Sequence, residues 1–225
     1  MRPVLTKLAG GLVVSCQAPE GHPLRSPDAI ARLAACAELG GAAAVRVNHP
    51  DDVRAVKAAV SLPVIGLHKV RADDRYLITP TWALAEALAE AGADIIALEA
   101  TGRADVPVAE FAGRVRAELD RPVMADVATL EQGEAAWAAG ADLVASTLSG
   151  YTADSPQRTD PDLALVARLA AAGVRTVAEG RLATAEHVSA AFAAGAYAVV
   201  VGTAITDPLA LTRRLAAATP TGTTR

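Results

Sequence analysis

Residues 173–205 read GVRTVAEGRLATAEHVSAAFAAGAYAVVVGTAI. Val174–Ala178 is apolar, short and rich in β-branched side chains, the pattern of a buried strand. It runs into Glu179-Gly180-Arg181. Thr184 then reads as the N-cap of a helix that closes at Ala194-Gly195-Ala196. Ala198–Val201 is a second fully apolar strand, ending on Gly202-Thr203. Two such strands joined by a helix predict a parallel β-α-β unit covered on both faces. Their two terminal turns, side by side, would offer backbone N–H groups to an anion. In an eight-fold β/α barrel the loops after strands seven and eight are the usual phosphate seat.

The flanking sequence extends the same alternation. Strands are predicted at 12–16, 44–48, 63–67, 94–98, 122–125 and 143–146, each followed by a helical stretch. Helices are predicted at 28–39, after Ser26 and Pro27, at 51–60, from Pro80 to Gly92, near 107–119, from Thr129 to Gly140, and at 161–172. A last helix starts at Asp207-Pro208 and reaches about Ala217. The segments 18–27 and 70–79 read as loops, the second one charged, and a long loop follows Ser146.

An internal repeat supports this count. Even-numbered strands are announced by Gly41-Ala42, Gly92-Ala93, Gly140-Ala141 and Gly195-Ala196, and the third and fifth by Pro63-Val64 and Pro122-Val123. Spacings of 51, 48 and 55 residues between the repeated alanines divide the chain into quarters of two β-α units each. The expectation is one α/β domain, a single TIM-type (β/α)8 barrel over residues 1–218, followed by a disordered tail at 219–225.

Composition narrows the functional classes. The chain has 225 residues, of which 52% are hydrophobic but only 3% aromatic, so Ala, Val, Leu and Ile must build the core. A net charge of −4 leaves no electrostatic footprint for nucleic acid. No apolar run approaches the roughly 20 residues of a spanning helix. Val13-Val14-Ser15-Cys16 has the look of a lipoprotein cleavage box, but the preceding apolar stretch is short and holds two glycines, and the segment fits a first barrel strand. A cytoplasmic address is expected, with Cys16 and Cys36 as reduced core cysteines.

In this fold the C-terminal strand ends carry the chemistry. They present Gln17, Arg46 with Asn48, Lys69, Glu99, Asp126, Thr147 with Ser149, Glu179 with Arg181, and Gly202 with Thr203. The carboxylates come from separate strands, and the four histidines have no ligand spacing, so no metal is expected. No P-loop or GxGxxG occurs, and no nucleotide cofactor is expected. A lysine at such a mouth can take a proton from carbon beside a carbonyl, or attack the carbonyl to form a Schiff base.

Ser15-Cys16-Gln17, Arg46-Val47-Asn48, Gly66-Leu67-His68-Lys69, Ile78-Thr79-Pro80-Thr81, Met124-Ala125-Asp126, Thr147-Leu148-Ser149-Gly150-Tyr151-Thr152, Ala178-Glu179-Gly180-Arg181 and Val201-Gly202-Thr203-Ala204-Ile205-Thr206 stand in this order. With them the chain resembles the N-acylglucosamine-6-phosphate 2-epimerases, also called N-acetylmannosamine-6-phosphate 2-epimerases, from about residue 10 to 215. The resemblance implies interconversion of N-acetylmannosamine 6-phosphate and N-acetylglucosamine 6-phosphate without a cofactor, in sialic-acid and amino-sugar catabolism. It puts the catalytic lysine on Lys69 and the active-site glutamate on Glu179. Substrate contacts fall on Gln17, Arg46 and Asp126, and the phosphate cradle on Gly180, Arg181, Gly202 and Thr203. It also points to dimers, and because Leu209 to Ala217 is rich in Ala and Leu, a homodimer to which the last helix contributes is expected.

Three positions depart from the family pattern. Val70 follows the lysine where arginine is usual, after an unusual His68. Glu99 ends the fourth strand where aspartate is usual, and Asp207 stands where arginine tends to follow Thr206. The chemistry expected is removal of the C2 proton to an enediolate and its return on the other face. A Schiff-base aldolase or lyase on a sugar phosphate, and a phosphosugar-binding protein without turnover, are the alternatives.

Overall fold

The computed structural model describes residues 2–72, 75–103 and 107–220. Eight parallel strands close a barrel: β1 (Leu12–Cys16), β2 (Ala44–Asn48), β3 (Val64–Leu67), β6 (Ile95–Glu99), β7 (Val123–Asp126), β8 (Leu143–Ala145), β9 (Thr176–Glu179) and β10 (Ala198–Val201). They stand in the order β1-β10-β9-β8-β7-β6-β3-β2 and return to β1. The helices between them are α2 (Pro27–Leu39), α3 (Pro50–Ala59), α4 (Trp82–Glu90), α5 (Val108–Glu118), α6 (Leu130–Ala138), α7 (Leu163–Ala171), α8 (Ala185–Ala193) and, after a short α9 (Thr203–Thr206), α10 (Pro208–Ala216). This is the TIM-type barrel expected from the alternation.

Period-two alternation splits the strand residues between two kinds of core. Val13, Ile65, Leu67, Ile95, Ala97, Met124, Leu143, Val177 and Val200 fill the barrel interior. The other face packs on the helices: Val45, Val47, Ile96 and Leu98 share a cluster with Val53 and Val56 of α3. With so few aromatics, small side chains let strand and helix approach closely. A Cβ at Gly66 of β3 would lie 2.7 Å from the Ala93 Cβ.

The two repeat signals prove to be one device. Gly92, Gly140 and Gly195 all take left-handed φ angles as their helices end. The Ala93 N–H returns to the Leu88 carbonyl at 3.0 Å, tightening the turn into the strand. Asp94, next in the chain, accepts the Val64 N–H at 2.8 Å and the Lys57 ammonium at 2.9 Å. Asp142, after Gly140-Ala141, accepts the Val123 N–H at 2.9 Å in the same way. Each helix-Gly-Ala-Asp thus clamps the start of the preceding Pro-Val strand.

The structure corrects four expectations. The charged stretch 70–79 is not a plain loop: β4 (Lys69–Arg71) and β5 (Tyr76–Ile78) pair antiparallel, with Lys69 opposite Ile78. A helix absent from the sequence reading, α1 (Pro3–Leu8), buries Leu5 and Leu8 against the interior cluster from the N-terminal end. The strand expected at Val174–Ala178 begins two residues later, because Val174 N–H still answers the Leu169 carbonyl of α7. Cys16 is buried, its thiol pushed up to about 12 chiefly by burial, but Cys36 is exposed rather than in the core. Of the expected tail, residues 221–225 lie outside the described residues.

Gly66→Ala is expected to push β3 off Ala93, whose Cβ has no rotamer with which to yield. Overpacking of this kind costs about 1–3 kcal/mol, which should lower the melting temperature by a few degrees in a thermal scan. At Gly133 the close neighbour of an added Cβ is Leu169 Cδ2, the end of a side chain that can rotate, so Gly133→Ala should cost less.

Candidate functional site

Polar side chains gather at the C-terminal end of the barrel. Arg46 leaves β2 and is only 1% exposed. Its Nη2 donates to Asp126 Oδ2 at 2.6 Å and its Nη1 to Asp126 Oδ1 at 3.1 Å, a forked pair reaching to β7. Nη1 also donates to Glu179 Oε2 on β9 and to Thr147 Oγ1 at 3.2 Å. Burial works against the charge of Arg46, but Asp126 and Glu179 outweigh it and hold its pKa above the ordinary value. Its buried Nε has no partner among the described residues.

The Thr147 hydroxyl donates to Asp126 Oδ1 and lies 3.1 Å from Glu179 Oε2. It has one hydrogen for two carboxylates, so a proton on Glu179 relieves the contact. Burial is the largest influence on Glu179 and raises its pKa. Arg46 opposes the rise, Asp126 adds to it, and Thr147 and Lys69 oppose it again. The Glu179 backbone is held on both sides by Ser146, whose hydroxyl accepts the Glu179 N–H at 3.1 Å and donates to its carbonyl at 3.0 Å.

Lys69 opens the β4–β5 hairpin, its own N–H donated to Asn48 Oδ1 at 2.8 Å. As a residue Lys69 is exposed on the hairpin edge, yet desolvation remains the largest influence on its amine. Desolvation and then the charge of Arg46 lower its pKa, outweighing Glu179 and Asp126. Its ammonium makes no hydrogen bond or ion pair among the described residues. The same surroundings therefore push lysine down and glutamate up.

Gln17 is half-buried, its Nε2 donating to Ser15 Oγ at 2.9 Å and its buried Oε1 left without a partner. Because β9 and β10 are neighbours, Gly180–Arg181 and Gly202–Thr203 end adjacent strands. Gly180 and Arg181 both have left-handed φ, 112° and 59°. The N–H groups of Gly180, Arg181 and Thr203 find no acceptor among the described residues. The Arg181 guanidinium lies 4.0 Å over the Tyr151 ring and donates to the Ser149 carbonyl at 2.9 Å.

All nine site residues expected from the sequence thus lie on the C-terminal side. Asp126 differs from expectation in its exposure. It is fully buried, both oxygens taken by Arg46, so it meets the mouth through that guanidinium. The sequence places Thr147 among the strand ends without giving it a role, and Ser146 only at the end of a strand, since a hydroxyl's role depends on which carboxylate it faces. The departures acquire partners as well. Asp207 accepts the Ala210 N–H at 2.8 Å, capping α10, and meets His22 at 3.3 Å. His68 stacks tilted on His49 with its buried Nδ1 unpartnered.

Among the described residues, no group of three or more His, Cys, Asp or Glu side chains could hold a metal ion. No described helix is long and apolar enough to cross a membrane. A shallow cleft of about 400 Å³ lies at the opposite, N-terminal end, between Trp137 and Tyr197. Its one charged residue, Arg175, lies over both rings and donates to the Asp142 carbonyl at 2.8 Å.

A family model described as "putative N-acetylmannosamine-6-phosphate epimerase" matches residues 30–221. The chain belongs to this family. A relative from Caldanaerobacter subterraneus subsp. tengcongensis, named a putative N-acetylmannosamine-6-phosphate 2-epimerase, is 47% identical over 94% of this chain and 92% of its own. One of the same name from Cutibacterium acnes is 46% identical over 93% of each chain. The solved N-acetylmannosamine-6-phosphate 2-epimerase from Clostridium perfringens superposes with a TM-score of 0.89 at 38% identity, covering 94% of both chains. The alternation and the strand-end motifs therefore led to the family as well as to the fold.

Arg46→Ala would leave Asp126 and Glu179 buried together without the guanidinium that pairs them. Breaking a buried ion pair from one side typically costs about 3–5 kcal/mol. Urea unfolding at neutral pH should register a loss of that order. A change under about 1 kcal/mol, the range of an exposed pair, would mean the cluster is solvated instead.

Proposed function

We propose that this chain is an isomerase that epimerises C2 of N-acetylmannosamine 6-phosphate to N-acetylglucosamine 6-phosphate. The carrying observation is the opposed tuning of Lys69 and Glu179 around Arg46 at the C-terminal end of a barrel from this epimerase family. C2 bears the acetamido group and adjoins C1, the aldehyde carbon of the open sugar. A base that removes the C2 proton leaves an enediolate-type anion, strictly an amido-enolate, with its charge on O1. Return of a proton to the other face inverts C2.

In this reading Lys69 and Glu179 are the two proton-transfer groups, one on each face. In the direction where Lys69 is the base it is a neutral amine and Glu179 a protonated acid; in the other direction Glu179 is a carboxylate base and Lys69 an ammonium acid. Either way the pair carries one proton. A lysine pKa held low and a glutamate pKa held high suit that sharing. Arg46, with its unpartnered Nε–H, and Gln17 are the groups assigned to the sugar's oxygens and amide. Asp126 orients Arg46. The free N–H groups of Gly180, Arg181 and Thr203, with Gly202 for close approach, are assigned to the 6-phosphate. Arg181 adds its charge from beside Tyr151.

The reading extends to a soluble, cytoplasmic enzyme of sialic-acid and amino-sugar catabolism that needs no cofactor. It also includes a homodimer. None of the nine residues of α10 is buried, although Leu209, Leu211 and Leu215 lie on it and Leu215 is 66% exposed. A helix with that composition and no buried residue is one that a second copy could cover. Light scattering at micromolar concentration should give twice 22.9 kDa, and a mass of 22.9 kDa would remove the dimer from the reading.

The activity is tested by incubating N-acetylmannosamine 6-phosphate with the chain in deuterium oxide. N-acetylglucosamine 6-phosphate should appear in the NMR spectrum with deuterium at C2. Lys69→Met and Glu179→Gln should each reduce turnover by about 100- to 10,000-fold. Product that kept its original C2 hydrogen would remove both residues from proton transfer. Borohydride trapping of a lysine adduct would favour the aldolase class.

A further inference from the structure

The β4–β5 hairpin carries Lys69, and little holds it by packing. It has three residues in each strand, too few to be stable alone. Val70 and Tyr76 are exposed, and Ile78 is its one buried apolar side chain. Polar contacts tie it down instead. At its base the Thr79 N–H donates to the His68 carbonyl at 2.7 Å and the His68 N–H to Thr79 Oγ1 at 3.0 Å.

Its far strand is gripped from the end of β6. Glu99 Oε2 accepts Arg75 Nη1 at 2.9 Å and the Ile78 N–H at 3.3 Å. Glu99 Oε1 accepts Arg75 Nη2 and the Thr101 hydroxyl. Arg75 Nη2 also reaches Thr101 at 3.3 Å. The Glu99 side chain is 1% exposed and that of Arg75 11%. A forked guanidinium–carboxylate pair fixes angle as well as distance. Ile78, bound to that carboxylate, is the cross-strand partner of Lys69.

We infer that Arg75 is a positioning residue: its forked pair with Glu99 latches the hairpin onto β6 and so fixes where Lys69 stands at the mouth. This rests on the assignment of Lys69 to proton transfer. A longer carboxylate at position 99 and an arginine at 75 belong to one device, and neither touches the reacting atoms. The phosphate end of the substrate is assigned to the β9 and β10 turns, three and four strands from β6 round the ring.

Three variants test the latch: Arg75→Ala, Arg75→Lys and Arg75→Ala with Glu99→Gln. In Arg75→Ala, kcat should fall about 10- to 100-fold, the scale of a misplaced catalytic group. KM should stay within about threefold, since phosphate binding is untouched. Amide hydrogen exchange in a peptide covering 67–80 should accelerate at least about tenfold as the hairpin opens locally. Arg75→Lys should recover only part, because an ammonium cannot fork. The double variant removes the unpaired buried carboxylate, so it should regain the melting temperature lost in Arg75→Ala while kcat and exchange stay impaired. Recovery of kcat together with melting temperature would make the pair merely structural, and unchanged exchange in Arg75→Ala would overturn the latch. If the unmodified chain shows no epimerisation, the assignment of Lys69 fails, while the exchange measurement still judges the latch.

Discussion

One guanidinium inside a closed barrel sets the terms for everything around it. Arg46 has almost no access to water, so its charge must be answered by the protein. Asp126 and Glu179 answer it from β7 and β9, each three strands away from β2 in opposite directions round the ring. The arginine therefore ties opposite walls together across the mouth. Two carboxylates that close would repel without it, and one arginine held by two carboxylates leaves a net negative site. That surplus is what a lysine or an extra proton can neutralise.

The same arrangement explains how a nonpolar barrel of alanine and valine can support acid–base chemistry. Desolvation disfavours both an ammonium at Lys69 and a carboxylate at Glu179, and it acts on both in the direction that makes them neutral. In the proposed reading, neutral amine and neutral acid are the forms needed in the direction where Lys69 is the base. Neither residue needs a metal or a bound cofactor to reach those forms in this reading. The exposed edge of Lys69 leaves room for a sugar to approach from above.

Most of this was legible in the sequence because barrel strands are short, apolar runs and their ends are abrupt. Leu12–Cys16 is followed at once by Gln17, Ala44–Asn48 contains Arg46, and Thr176–Glu179 ends on its own carboxylate. What escaped was held by tertiary contacts. Lys69-Val70-Arg71 and Tyr76-Leu77-Ile78 are too short and too charged to announce a hairpin, and the Arg75–Glu99 pair that holds them joins residues 24 apart. Six residues of α1 have no helical periodicity of note, and burial of Leu5 and Leu8 makes the helix. Asp94 and Asp142 were visible in the repeat, but their acceptor role needed the strand start beside them.

The ring of strands has one seam, between β1 and β10. Every other neighbouring pair joins strands consecutive round the barrel and close in sequence, whereas Leu12 pairs with Val199. The Tyr197 hydroxyl reaches the Leu5 carbonyl at 2.9 Å, Gly10 N–H reaches the Tyr197 carbonyl at 2.8 Å, and Thr206 Oγ1 reaches the Ser15 carbonyl at 2.9 Å. The entropy of closing a loop grows only with the logarithm of its length, so sealing nearly the whole chain is thermodynamically modest. Kinetically it is the step of greatest sequence separation. Seven ladders can assemble from local neighbours, and the eighth converts an open, edge-exposed sheet into a surface with no free edge. Gln17, Gly202 and Thr203 flank that seam, so this part of the site is completed only when the sheet becomes a ring.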